Sequence, residues 1–414
     1  MEEYLIYEDM AEGLLSQNIN QAYLCYENAW FLCEDADRRN EIRMKLGALA
    51  ANDDMRVRKT CIAIVSYNSC YLMQRCIEAI RNECIPGSYE IVVVDNASTD
   101  GVRDWLCGQD DIKTVLLEEN VGFPMGCNIA VQYAGTGYDV FLLNNDTRLT
   151  HNALFWLRMG LYSSDDIGAT GSIANYAGNR QQVEVEFTLP AEYVEYAGSI
   201  NVPMDEPFEE RVRLSGFSML IRRELWDELG GMDEAFSPGY FEDDDLSVRI
   251  LWSGYRLLLC KNSFIYHAGS QSFSGREDIN ELLIGHMNLF EQKYGFNILE
   301  YADGNSDLPG SINFGRETAF NLCHMGCGLG AQLKLLRGYF PNANLVGVEK
   351  NPALFEIVSK TEPVFNSIED MCGYLEGGIF HVMLISGEDY EALEAKELEL
   401  LKRVICEDGI VLIL

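Results

Sequence analysis

The chain has 414 residues, 48% of them hydrophobic, and carries 31 Lys and Arg against 65 Asp and Glu, a formal net charge of -34. That length exceeds what one hydrophobic core usually organises, so two or three domains are expected, each with apolar content for its own core. So acidic a balance excludes binding to a phosphate backbone or an anionic membrane surface, both of which need clustered Lys and Arg, and nucleic acid is not an expected partner.

The amino terminus, MEEYLIYEDM, lacks a basic region followed by an apolar stretch, and no run approaches the roughly 20 apolar residues that span a bilayer. A cytoplasmic protein without a transmembrane segment is expected. The 13 cysteines are odd in number, and many sit inside apolar runs, such as Cys61 in TCIAIVSYN and Cys260 in LLLCKN. Buried free thiols fit this pattern better than disulfides, and Cys323 with Cys327 has no second pair at zinc-site spacing.

Residues from about 10 to 56 place Leu14, Ala22, Tyr26 and Ala29 at near-helical intervals, then Ile42, Leu46 and Leu49 after the polar break EDADRRN. Two packed helices are predicted. Their spacing resembles one tetratricopeptide-type repeat, which cannot bury its own face and should pack on the next domain, so residues 1–57 read as a helical extension. From Thr60 short apolar runs, CIAIVSYN, EIVVVDN and DVFLLNND, alternate with amphipathic stretches such as CYLMQRCIEAIRN. This predicts an α/β domain over residues 58–300, with a parallel sheet covered on both faces. Ligands of such sheets bind beyond the carboxyl ends of the strands, where Asn68, Asp95 and Asp146 fall. Residues 301–317, rich in Gly, Pro, Asp and Ser, read as a linker. A second α/β unit, 318–414, follows, with AFNLCHMG, NLVGVEKN, FHVMLISG and ICEDGIVLIL as strands.

Four segments carry candidate chemistry. Asp95 ends IVVVD and opens the turn NASTDG, where a carboxylate either shapes the turn or accepts hydrogen bonds from a base or ribose. EENVGFPMGCNIA supplies Asn120, Gly122, Gly126 and Asn128, giving close backbone approach and amide hydrogen bonds at a helix start. FLLNNDT releases Asn144, Asn145 and Asp146 from a buried strand. A hard divalent cation takes one or two protein carboxylates together with substrate phosphates, a role that suits Asp146. PGYFEDDDLSVRILW sets four consecutive acids before an apolar-periodic helix, more than capping and the macrodipole account for. Clustered like charges raise one another's pKa, as a general base requires. Jointly these groups meet the needs of moving a sugar off a nucleoside diphosphate: a nucleoside seat, a cation for the pyrophosphate and a base for the acceptor.

Taken in this order, the residues resemble the inverting glycosyltransferases of family 2, whose fold is called GT-A, over most of residues 58–300. The resemblance implies that Tyr67 and Asn68, with Asp95, Ser98 and Asp100 of the turn DNASTD, seat the nucleoside, and that Asn120, Gly122, Gly126 and Asn128 form the family's glycine pattern. Asn144, Asn145 and Asp146 stand for its D-x-D-type metal and diphosphate motif, in the L-N-x-D-T form of the rhamnosyltransferase-like subgroup, with Asn144 in place of an acid. Asp243 takes the place of the base and Glu242 that of an acceptor contact; Asp244, where an apolar residue is usual, is the rival base. His267 in FIYHAGSQS is implied as a further metal or diphosphate ligand, Gly216 as part of the acceptor-side loop, and Arg222 and Arg223 as solvated.

FNLCHMGCGLGAQLKLL places Gly326, Gly328 and Gly330 at a strand-to-helix turn, and Glu349 follows NLVGV. This resembles the first two motifs of S-adenosylmethionine-dependent methyltransferases, in partial form because the chain stops at Leu414 within the last strand pattern. The expected function is therefore inverting transfer from a UDP-hexose or dTDP-rhamnose type of donor to a hydroxyl of a glycan, lipid-linked or protein acceptor in bacterial glycan biosynthesis. Mg2+ or Mn2+ is the expected cofactor. A bifunctional enzyme that also uses S-adenosylmethionine, or a methyltransferase with an inactive sugar-transfer domain, is the alternative.

Overall fold

A computed structural model of the chain describes residues 2–185, 187–269, 278–374 and 378–414. The SQS end of FIYHAGSQS lies outside these residues. Two compact units emerge, Met1–Phe208 with Leu214–Leu246 and Leu258–Ile279, and Glu209–Arg213 with Ser247–Leu257 and Asn280–Leu414.

The first unit opens with three helices, Glu3–Leu14, Ile19–Leu32 and Ala36–Ala50, where two were expected. Acidic residues on both sides hid the first of these, yet Tyr7 and Ala11, one turn apart, are buried. Caps set the boundaries. The Asn18 side chain accepts from the N–H groups of Asn20 and Gln21, and Asp35 accepts from Arg38 N, which draws the polar DRRN into the third helix. These helices share the core of the first unit: Tyr7 meets Phe155 edge-on at 5.1 Å, and Asn18 and Gln21 donate to the carbonyls of Tyr162 and Met159.

Nine strands follow in this unit and its continuation: β1 (Lys59–Ser66), β2 (Tyr89–Asp95), β3 (Ile112–Leu116), β4 (Tyr138–Leu143), β5 (Thr147–Arg148), β6 (Ile167–Ala174), β7 (Phe208–Arg211), β8 (Ser218–Ile221) and β9 (Arg256–His267). The main path of the sheet runs β3-β2-β1-β4-β8-β6-β9-β5. β1 to β4, joined by helical crossovers, are parallel; β8 pairs antiparallel with β4 and β6, and β5 with β9. The sheet is mixed, which corrects the expectation of a wholly parallel one. Antiparallel partners far apart in sequence leave no local signature, and β6, IGATGSIA, is buried along its whole length and shows no alternation.

This topology positions the site. Ser66 and Asp95 are register partners at the ends of β1 and β2, and the end of β4 runs directly into Asn144 to Asp146. Helix Phe123–Gln132 lies close on β1 because Gly126 has no side chain: a Cβ there would sit 2.8 Å from Val65 Cγ2.

The second unit is built on a parallel sheet of β10 (Asn321–Met325), β11 (Asn344–Val348), β12 (Val364–Phe365), β13 (Phe380–Ile385) and β14 (Ile405–Ile413), in the order β12-β11-β10-β13-β14. That is a doubly wound order with its switch point between β10 and β13. Leu308 and Ile312, within the expected linker, are buried in an apolar cluster of this unit. All 13 cysteines are free thiols, most of them buried. Among the described residues, no helix is long and apolar enough to cross a membrane.

Candidate active site

At the end of β2, Asp95 is wholly enclosed. Its Oδ2 accepts from Ser98 N at 3.1 Å and from Arg103 Nη1 at 3.2 Å, while Oδ1 has no partner. A buried acceptor without a donor is costly, about 1–3 kcal/mol. The neighbouring β1 end is clasped by the same turn. Asn68, at φ +58°, donates its N–H to Ser98 Oγ and accepts from Thr99 N, and Asp100 accepts from Cys70 N. Tyr67 stands exposed beside it. Asn145 Nδ2 reaches Asn68 O at 3.5 Å, joining this cluster to the end of β4.

There, Asp146 Oδ1 lies 3.1 Å from His267 Nε2, and both residues are buried. The Tyr176 carbonyl sits 2.7 Å from His267 Nδ1 and accepts its N–H, which fixes the ring orientation. Two ligand atoms bound at about 2.1 Å and near a right angle stand about 3 Å apart, so this oxygen and nitrogen fit a divalent cation. Among the described residues, no group of three or more His, Cys, Asp or Glu side chains is placed to hold a metal ion. Asn144 Nδ2 stands 3.5 Å from His267 Nε2, at the edge of the same pair.

The four acids form the first turn of helix Glu242–Trp252, where its positive end favours them. Their environments differ sharply. Glu242, Asp244 and Asp245 are buried, and Asp243 alone is half-buried. Gly216 N donates to Asp243 Oδ2 at 2.9 Å and Asp244 N to Asp243 Oδ1 at 2.9 Å, while Asn179 reaches Asp244 at 3.5 Å. Burial, with the Asp243 and Asp244 charges beside it, pushes the Glu242 carboxyl well above the usual range.

Gly216 and Phe217 tie these parts together. Gly216 holds Asp243, the Phe217 carbonyl accepts from Asn144 N at 2.9 Å, and the Phe217 ring stacks on His267 with centroids 5.0 Å apart. Gln181, wholly buried, fixes this dipeptide by accepting from Ser215 N at 2.6 Å and donating to the Ser172 carbonyl. No sequence pattern singled out Gln181, Arg103 or Phe217; their roles depend on contacts across many residues of chain. Arg222, expected in solvent, instead donates to the carbonyls of Leu161, Ser164 and Ile167.

The glycine pattern serves as scaffold. Asn120 Oδ1 accepts from Gly122 N, and a Cβ on Gly122 would come within 2.9 Å of Pro238 Cα. Gly126 abuts Val65, and Asn128 bonds the backbone of Met232 in both directions. The glycine turn of the second unit is likewise filled from within. Gly326, Gly328 and Gly330 all have positive φ, but Asp389 and Tyr301 lie where side chains on Gly326 and Gly328 would go. Both Glu349 oxygens already accept backbone bonds, from Gly328 N and Asn351 N.

Residues 61–229 match the family described as Glycosyl transferase family 2. Glycosyltransferase AglE of Haloferax volcanii is 26% identical over 177 residues, 41% of this chain and 54% of its own length. The uncharacterized protein y4gI of Sinorhizobium fredii is 25% identical over 228 residues, 51% of this chain and 24% of its own. The chain thus spans about half and about a quarter of these curated relatives. Among solved structures, the mannosyltransferase PcManGT from Pyrobaculum calidifontis, in complex with GDP-Man and Mn2+, is 20% identical with a TM-score of 0.43, covering 69% of this chain and 76% of that one. GalNAc-T7 with UDP, GalNAc and Mn2+ is 16% identical with a TM-score of 0.43, covering 56% and 48%. The family match coincides with the mixed α/β sheet of the first unit, a fold of the GT-A class.

Proposed function

We propose that the first unit is an inverting glycosyltransferase that moves a sugar from a nucleoside diphosphate to an acceptor hydroxyl, with Asp243 as the base. The observation that carries this reading is the Gly216–Phe217 dipeptide, which holds the one half-buried acid of the cluster and the Asp146–His267 pair on the same strand ends. The family match over residues 61–229 and the glycosyltransferase AglE support the same class of reaction.

In this reaction the acceptor hydroxyl gives its proton to Asp243 as its oxygen bonds to the anomeric carbon. The bond from that carbon to the diphosphate oxygen breaks on the opposite face, and the nucleoside diphosphate leaves. Gly216 N and Asp244 N fix the carboxylate plane of Asp243, so little reorientation is needed. A divalent cation held through Asp146 and His267 would supply the positive charge that stabilises the departing diphosphate. Asp95 seats the nucleoside through the turn it closes and the Arg103 guanidinium it holds.

UDP-hexoses and dTDP-rhamnose are the donor types proposed, with a glycan, lipid-linked or protein acceptor. A donor panel scored by nucleoside diphosphate release, with product stereochemistry read by proton NMR, tests the reading. Turnover of one donor with inversion is expected; retention, or no release from any donor with Mn2+ and acceptor present, contradicts it.

A further inference from the structure

We propose that the ring of Tyr176 is the platform on which the acceptor rests, and that the acceptor hydroxyl is carried by a sugar, whose pyranose ring stacks there, and not by a peptide side chain. This deepens the sugar-transfer reading of the site and rests on it.

The placement of Tyr176 carries the inference. It follows β6, which pairs antiparallel with β8 as β4 does, so β6 ends on the same edge of the sheet as β4. In the strand order it lies on the side of β4 away from β1 and β2, where Asp95 would seat the nucleoside. The loop from Asn175 to Gln181 is closed at its base, where Ala174 N donates to the Gln181 carbonyl at 3.0 Å, and is pinned to the site along its length. At its start Asn175 Nδ2 donates to the His267 carbonyl and Asn175 Oδ1 accepts from His267 N, both at 2.9 Å, and the Tyr176 carbonyl accepts from His267 Nδ1. Near its end Asn179 Nδ2 reaches Asp244 Oδ1 at 3.5 Å, and Gln181 holds Ser215, the neighbour of the Gly216 that bonds Asp243. The loop thus runs from the candidate cation pair to the candidate base, the two places between which the reacting anomeric carbon must lie.

Tyr176 is 47% exposed. A single exposed aromatic side chain is ordinary on a protein surface. This one differs in standing on backbone that is hydrogen-bonded to a site residue, so little freedom is lost when a ligand covers it. Its ring centroid lies 5.8 Å from that of His267, and Gly269 makes room for it, since a Cβ there would come 2.8 Å from Tyr176 Cδ1. The chemistry of such a place selects its ligand. A pyranose has a face of C–H bonds, which suits the electron-rich face of a tyrosine ring, and a rim of hydroxyls, which suits carboxylates and amides. The loop supplies the half-buried Asn179 amide and borders the half-buried Asp243. A serine or threonine hydroxyl on an extended peptide brings no flat face to the ring.

The test compares the full chain as wild type, Tyr176→Phe and Tyr176→Ala, with Mn2+ present and UDP-hexoses and dTDP-rhamnose as donors. The acceptor probes are methyl glycosides and disaccharides of glucose, galactose, mannose and rhamnose, set against peptides containing serine and threonine. Transfer to saccharides is expected. Tyr176→Ala should raise saccharide KM about tenfold or more while donor KM stays within about threefold of wild type, and Tyr176→Phe, which keeps the ring, should lie close to wild type in both. Transfer to peptides alone, a rise in donor KM in place of saccharide KM, or an unchanged saccharide KM in Tyr176→Ala would overturn the proposal. Saturation-transfer NMR with the same saccharides gives a readout free of turnover. A signal that weakens in Tyr176→Ala and persists in Tyr176→Phe is expected; no signal in the wild type, or an equal one in all three proteins, overturns the proposal. Should the wild type release no nucleoside diphosphate from any donor while this pattern holds, the sugar-transfer reading fails and the saccharide platform stands.

Discussion

Asp146 Oδ1 faces His267 Nε2 across 3.1 Å, with the imidazole fixed from behind by the Tyr176 carbonyl. If this pair holds a divalent cation, His267→Ala weakens Mn2+ activation by about 10–100-fold or more, because a ligand is lost and not only its support. Asp146→Ala is expected to remove activation altogether. A Mn2+ titration of nucleoside diphosphate release decides; an unchanged half-activating concentration in His267→Ala removes the histidine from the cation site.

Gly126→Ala should destabilise the first unit by about 1–3 kcal/mol, since its new Cβ would fall 2.8 Å from Val65 Cγ2 on a strand that cannot yield far. Adding Val65→Ala opens the space, so the two substitutions together should cost less than their sum. Urea denaturation of the four variants measures the coupling; strict additivity would mean that the helix and β1 do not meet as described.

How much of this arrangement was legible in the sequence varies with the range of the forces involved. Continuous apolar runs announced β1, β2 and β4, and four acids ahead of an apolar period announced a helix start, because burial and capping act within a few residues. The antiparallel half of the sheet was not legible, since β6 and β8 acquire their pairing only through distant partners. Among site residues, Asp243 stood in a readable motif, but its distinction from Glu242 and Asp244 is one of burial, set by the loop that Gln181 anchors. The glycine pattern was readable as close approach; what approaches proved to be Val65 and Pro238.

His151 links the first helix to the domain core through Glu3 at 2.9 Å and Glu83 at 3.4 Å. Its pKa is raised, chiefly by Glu83, with burial opposing and Glu3 assisting. A raised value in the folded state means that the stabilisation is complete below the unfolded value of about 6.5 and fades as pH climbs through the folded value above it. The thermal midpoint of wild type should therefore decline from pH 6 to pH 8 relative to His151→Gln. Parallel curves for the two proteins would show that the pairing adds nothing.

In the second unit Lys334 and Glu362 are paired at 2.5 Å with both side chains essentially inaccessible, and Arg337 joins the same carboxylate. Glu362→Ala leaves the buried Lys334 ammonium with only the Glu210 carboxylate, 3.7 Å away, and should cost about 3–5 kcal/mol, while Lys334→Met with Glu362→Leu should cost far less. Denaturant midpoints distinguish these outcomes; equal losses in the two variants would argue that packing, and not charge, holds the group together.

The most direct measurement is nucleoside diphosphate release, in the presence of Mn2+ and acceptor, by wild type and Asp243→Asn. Asparagine keeps the size of the side chain and an oxygen for the Gly216 N–H, and loses the capacity to take a proton. Loss of a positioned base predicts a fall in kcat of about 10²–10⁴-fold with donor affinity retained. Wild-type rates in Asp243→Asn would contradict the assignment of the base and, with it, the account of how this site transfers sugar.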